Sequence, residues 1–507
     1  MKKRSLTTLL FISLLSVFIA QAADFDVRRY GAKGDGKKKN TVAIQKAIDA
    51  CHKAGGGRVV LADGIYMTAP IQLKTGVNLY IDSTARLLAS PDIDDYANWK
   101  NVKHVITENL PRKKNACLIF ADEADNIAIT GSGTIDGNGT YHFSRSDKRW
   151  FNDIWTYERI FPEEKQLPRV VFFAGCKDVV IEDVTMTNQP AGWGYLIHDC
   201  DRVTIRGLKI MSDIHVPNND GIHINCSRDV NISDCNIVAG DDAIILRANS
   251  RSLKENKPTE RVTVSNCVLQ SAAHAIRFGW VNDGVIRNCQ LSDIVITKTF
   301  RGIGIELPSS SLTPTDYGRE VTVVEDISLS NITMTDIITY PIYIIINADP
   351  KTKAEAIRNI HFSNMHVTGA HFPYLHGRED CVLQNFVFDN CSFTRETTNK
   401  VGDNIFSNTD GFVFNATTFN TRSVNRKEYV RGLQKNEGNV NPATFCMDSV
   451  TQQTVLTPYT STSSVNHKNS NDIVFGILLT FFYYVHHPNP SSKGGEVHAC
   501  SLLETYC

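Results

Sequence analysis

Three carboxylates carry the chemistry: Asp220 in Asn218-Asn219-Asp220-Gly221, and the adjacent pair in Gly240-Asp241-Asp242. They recur at a spacing close to the local period of the apolar pattern. In a stack of similar β-coils, Asp220 would therefore sit beside Asp241 and Asp242 on the adjacent rung, about 4.8 Å away. Carboxylates so close cannot all ionise comfortably. One pKa should rise and hold a proton while the others stay charged. Such a set can protonate a leaving oxygen and draw a proton from water on the opposite face of a sugar, the minimum for cutting a glycosidic bond. The plain alternative is that these are turn aspartates, which are common where β-coils bend and which account for Asp136, Asp183 and Asp213. The Asp220, Asp241 and Asp242 group resists that reading, because a scaffold gains nothing from the repulsion.

An internal repeat must position this group. Its form is apolar–x–apolar–x–polar–apolar–x–apolar, as in Val203 to Ile210, Val230 to Ile237, Val262 to Leu269, Ile327 to Met334, Ile360 to Val367 and Phe386 to Phe393. A copy is also read at Val285 to Leu291, which places Cys235, Cys267, Cys289 and Cys391 at one position of successive repeats. Period-2 strands in coils of roughly 22 residues and upward fit an all-β fold, a right-handed parallel β-helix. An antiparallel sandwich would leave the in-phase Asn-Cys steps unexplained. Ahead of the coils, Asn40 is expected to N-cap a helix with Ala43, Ile44, Ala47, Ile48 and Cys51 on one face, ended by Gly55-Gly56-Gly57. That helix can cover the open end of the stack, which would otherwise expose edge strands and core.

Composition narrows the partners. The formal charge of -1 over 507 residues gives no reason to expect nucleic acid or an anionic membrane. Thirteen cysteines suggest disulfides at first sight, but their places in the repeat point to free, buried thiols. With no CxxC pair, a zinc site has no support, and neither metal nor cofactor is expected. Lys2, Lys3 and Arg4, the apolar Leu6 to Ala20 and the Ala20-Gln21-Ala22 step read as a signal peptide over residues 1–23. The catalytic β-helix is then expected over 24–448. The Ser/Thr-rich stretch from Thr451, the short apolar run Ile473 to Val485 and the aperiodic end make 449–507 an irregular tail, with no membrane span. The expected product is an exported, periplasmic or extracellular monomer.

The order Asn-x-Asp, Gly-Asp-Asp, His274 in Ala273-His274-Ala275 and a basic segment at Arg301 resembles the polygalacturonase family of pectin-cleaving glycoside hydrolases, glycoside hydrolase family 28. The stretch Asn188 to Trp193, followed by His198 and Cys200, is similar to the family's coil before the active site, and the likeness runs from about Phe25 to at least Phe393. A bacterial-type exported member is the form it suggests. By that resemblance the reaction is single-displacement hydrolysis with inversion on a pectic polysaccharide or oligosaccharide. Asp241 matches the general acid, Asp220 and Asp242 the pair that activates water, and His274 helps set their protonation. Asn218, Arg301, Arg277, Arg247 and Trp193 are the candidate substrate-binding residues.

The chain departs from the family's pattern where Gly-His-Gly reads Ala-His-Ala. The family's Arg-Ile-Lys admits two placements on Arg301-Gly302-Ile303-Gly304-Ile305-Glu306: Arg301 with Ile303 in place of the lysine, or Gly304 and Glu306 in place of both cations. Either way a cation is lost, so a branched, rhamnose-containing or short pectic substrate is expected rather than plain polygalacturonan. Two other readings stay open: a β-helix polysaccharide lyase with a calcium-binding acidic site, and a non-catalytic carbohydrate-binding β-helix using Trp193 and Trp280.

Overall fold

The computed structural model describes residues 23–96, 117–146, 154–160, 169–308, 321–396, 405–422 and 452–455. All but the last residue of the expected signal peptide, and nearly all of the expected tail, lie outside the described residues. Alternating inward hydrophobes build a right-handed parallel β-helix. One inner column runs Ile127, Val179, Val203, Val230, Val262, Cys289, Ile327, Ile360, Phe386, each in parallel register with the next and all buried. Burying such side chains contributes roughly 1.5–3 kcal/mol apiece, which repetition turns into a continuous core.

Each coil has two faces in one large sheet and a third in a separate sheet. The two faces of the large sheet meet at a corner, and in three coils a single strand passes through it: Val285–Thr299, Thr322–Ile337 and Ala354–Gly369. Asp183, Asp234, Asn266, Asp293, Asn331, Asn364 and Asn390 turn that corner with φ between 51° and 62°. Asn and Asp enter this left-handed region more readily than other side chains because they hydrogen-bond locally. The Asn331 amide reaches Asp293 and that of Asn364 reaches Asn331, tying one corner to the next.

The polar outer face is ordered too. Asp125, Lys177, Asp201, Arg228, Glu260, Arg287, Glu325 and Arg358 stand in consecutive register, so every charge neighbours its opposite. Exposed pairs contribute at most about 1 kcal/mol each. Their alternation nevertheless penalises a slipped rung, which would oppose like charges.

Two local expectations are corrected. Cys289 pairs with Val262, so it is not in the column that runs Cys235, Cys267, Ile294, Ile332, Met365, Cys391. Asn288 and Asp293 both adopt φ near 55° and both precede an inward hydrophobe, so two corners five residues apart carry the same sequence signature. The helix Thr41–Lys53 buries the five expected residues, but the Asn40 side chain makes no hydrogen bond to its first turn. Asn40 lies at φ -100°, ψ 5° rather than in the extended N-cap conformation, and its Oδ1 accepts from the Lys33 N–H at 2.7 Å. The ten cysteines among the described residues are free and buried. No described helix is long and apolar enough to cross a membrane.

Candidate active site

The smaller sheet forms a groove floor from Trp193–His198, Ile222–Asn225, Ile244–Arg247, His274–Phe278, Arg301–Leu307, Ile342–Ile346 and Tyr374–His376, all parallel. Tyr195, Ile222, Ile244, Ile276, Ile303 and Ile342 form its inward column. Two residues earlier on each rung, where the chain turns into the floor, stand Trp193, Asp220, Asp242, His274 and Arg301. Backbone bonds confirm the order: Gly194 N donates to Asp220 O, Gly221 N to Asp242 O and Ala243 N to His274 O. His274 and Arg301 are register partners. The 22-residue step from Asp220 to Asp242 is thus one rung.

The backbone around the carboxylates is held from several sides. Asn218, at φ 59°, donates its backbone N–H to Asp241 Oδ2 at 2.8 Å. Asp241 Oδ1 accepts from the Asp242 N–H at 3.1 Å. Ser271 Oγ donates to the Asp241 carbonyl at 2.6 Å, and the Gln189 amide to the Asp220 carbonyl at 2.9 Å. Trp155, from the insertion before the groove, donates its indole N–H to the Gly240 carbonyl at 2.7 Å. Its contact 85 residues away has no local sequence signal.

The Asp241–Asp242 pair is split electrostatically. Burial raises the Asp241 pKa, and the charge of Asp242 raises it further. Together they outweigh the two backbone donors and bring it to about 7. Asp242 is 3% exposed, and burial alone would raise it too. The Arg277 guanidinium and the bonds from His274 outweigh that and hold it well below the usual range. Arg277 Nη1 lies 3.2 Å from Asp242 Oδ2, while the His274 backbone N–H and Nδ1 reach Oδ1 at 3.0 and 2.9 Å. Burial, joined by the charges of Arg277 and Arg301, lowers the His274 pKa against the pull of Asp242, so the ring is neutral near pH 7, and its contact with Asp242 assigns the proton to Nδ1. Asp241, the less buried of the two, thus holds a proton at the groove while Asp242 stays a carboxylate. One can donate and the other accept.

This split has a thermodynamic signature. Folded Asp241 keeps its proton up to about pH 7, whereas the unfolded group releases it near 3.8. The folded chain binds more protons across that window, so stability falls as pH rises through it. Asp242, held low, contributes stability above 3.8 that is lost only as pH falls further. Melting temperature should therefore decline from pH 4 to pH 7 more steeply in the native protein than in Asp241→Asn. Equal slopes in scanning calorimetry would show that Asp241 is not a retained acid.

The remaining sequence candidates divide. Arg277 joins the cluster, but through Asp242, with its guanidinium 4.1 Å over the Trp280 ring. Arg301 joins it and pairs with Glu306, Nη1 to Oε2 at 2.5 Å. Arg247 is 3% exposed and forked onto buried Asp283, at 2.5 and 2.8 Å, rather than turned to solvent or to a ligand. Trp193 is 5% exposed, with its ring 4.3 Å from that of His223 and under Arg169. Ile303 and Ile305 point into the core, each 2% exposed, so Gly304 and Glu306 take the alternate positions on the strand's other side. Glu306 is the site residue that sequence reasoning left conditional.

Glycosyl hydrolases family 28 is the family whose model matches, over residues 61–400. A probable polygalacturonase of Vitis vinifera is 28% identical over 288 residues, 55% of this chain and 55% of the relative. An endo-polygalacturonase of Pectobacterium carotovorum is 25% identical over 59% of this chain and 69% of the relative. Against the first of these, the chain spans little more than half of the relative's length. Among solved structures, an exopolygalacturonase from Thermotoga maritima superposes with a TM-score of 0.58 at 18% identity, covering 80% of this chain and 91% of that one. The family 28 exopolygalacturonase of Yersinia enterocolitica gives 0.55 at 21% identity, covering 78% of each. These two likenesses concern the fold. With the family match extending over two thirds of its length, this chain belongs to glycosyl hydrolases family 28.

Proposed function

We propose that the protein is an inverting glycoside hydrolase that cleaves pectin-type polysaccharides or oligosaccharides. The observation that carries the reading is the unequal surroundings of the adjacent carboxylates: Asp242 is held by Arg277 and His274, while Asp241 takes two backbone N–H bonds and lies beside the charge of Asp242. Asp241 gives its proton to the glycosidic oxygen as the bond to the anomeric carbon breaks. Asp242, with Asp220 on the adjacent rung, takes a proton from the water that attacks the opposite face. His274 and Arg277 position Asp242 and keep it ionised. The Vitis vinifera relative is a probable polygalacturonase and the Pectobacterium carotovorum one an endo-polygalacturonase, and family membership supports a pectic substrate. The loss of a cation from the basic segment supports a rhamnose-containing, branched or short chain within that class. The basic, apolar and small-residue start of the sequence supports export.

A panel of pectic oligosaccharides tests the reading, with EDTA present and products resolved by mass and anomeric configuration. New reducing ends of inverted configuration are expected. Absorbance from an unsaturated product would assign a lyase, and binding without turnover a carbohydrate-binding role.

A further inference from the structure

The end of the groove beyond His274 is built differently from the carboxylate end. Its two facing positions on Arg301–Leu307 are Gly304 and Glu306. Gly304 is fixed by its neighbour: a Cβ there would lie 2.3 Å from His274 Cδ2, so no side chain enters without displacing the imidazole. Glu306 turns its carboxylate to Arg301 Nη1, and Oε2 also lies 3.6 Å from His274 Nε2. The Glu306 side chain is 24% exposed and that of Arg301 17%, so the pair lies at the surface of the groove. On its other side the Arg301 guanidinium covers the Tyr343 ring at 4.0 Å. Tyr343 and Tyr374 continue along the axis, stacked at 5.4 Å, with Tyr340 5.3 Å from Tyr343. The nearby cations, Arg277 and Arg301, each already face a carboxylate of this chain.

We infer that Glu306 is a specificity-determining residue, an internal carboxylate that occupies Arg301 and so admits at this subsite a sugar without a free carboxylate, seated beside Tyr343 and Tyr374. The inference rests on the hydrolase reading and deepens it by naming the substrate's chemistry. A uronate entering here meets the charge of Glu306 and finds Arg301 engaged. A deoxy sugar such as rhamnose, or an esterified uronate, meets neither obstacle and has apolar faces for the tyrosine rings.

Titration calorimetry tests this on the full chain, in an Asp241→Asn background that binds without turnover. The ligands are oligogalacturonate, its methyl ester, and a rhamnose-alternating oligosaccharide of equal length. The two ligands that can place an uncharged sugar at this subsite should bind at least about tenfold tighter than the free acid, the scale of one charge-assisted contact. Preference for the rhamnose ligand over the ester would name the neutral sugar, and the reverse an esterified uronate. Glu306→Gln should release Arg301 and tighten oligogalacturonate about tenfold, leaving the other two ligands within about twofold. Adding Arg301→Gln should cancel that gain, a pattern that loss of packing would not give. If the free acid binds the otherwise native protein as well as its ester does, the inference is overturned even should Glu306→Gln not fold. Failure of the hydrolase reading is separately visible: the protein with Asp241 intact would then cleave none of the three.

Discussion

Asp241→Asn should abolish hydrolysis while leaving the fold and substrate affinity intact. The amide keeps the shape and can accept one of the two backbone bonds that the carboxylate oxygens take from Asn218 and Asp242, but it has no acidic proton for the leaving oxygen. General acid groups contribute about a hundred- to ten-thousandfold, and a poor alkoxide leaving group places this one at the upper end. The loss should appear in kcat with KM little changed, since the proton is needed in the transition state rather than for binding. The alkaline limb of the native kcat/KM profile should fall near pH 7, where Asp241 loses its proton. Turnover within about tenfold of the native rate, in a variant with native melting behaviour, would take Asp241 out of the acid role.

The periodicity was legible because it is written in the alternation of inward side chains, and any stack that buries one face must show it. The carboxylates were legible for the same reason, since Asp220 and Asp242 are one rung apart and the rung length can be read from the hydrophobes alone. Arg277 was visible as a candidate but its partner was not. It reaches Asp242 across 35 residues, and the loop within that interval makes the rung length irregular. Arg247 reads as a surface or ligand cation until buried Asp283, 36 residues on, is seen to hold it. Glu306 needed one further fact, which side of the strand faces the groove. Ile303 and Ile305 supply it only once the strand is known to be a groove strand. The Cys289 misplacement has the same origin as the success. A short motif repeated at both ends of a strand fixes the fold but leaves two registers that look alike.

Replacing Asp242 separates the electrostatic account from a merely structural one. In the proposed mechanism Asp242→Asn removes a base that shares the attacking water, so kcat/KM should fall at least about a hundredfold. It also removes the negative charge that, after burial, contributes most to holding the proton on Asp241. The residual activity should therefore lose its alkaline limb at lower pH than the native enzyme, because Asp241 then ionises more easily. Arg277→Gln acts on the same pair with the opposite sign. The guanidinium favours the ionised form of both carboxylates, so its loss should raise the Asp241 pKa and move that limb to higher pH, with a smaller loss of rate. A general loosening of the site would shift both variants alike. Opposed shifts, read from pH profiles of kcat/KM on one oligosaccharide, require that a charged Asp242 sits between Arg277 and the acid. Shifts of the same sign would mean that burial alone raises Asp241, and Asp242 would then be a ligand of His274 and Arg277 rather than the acid's partner.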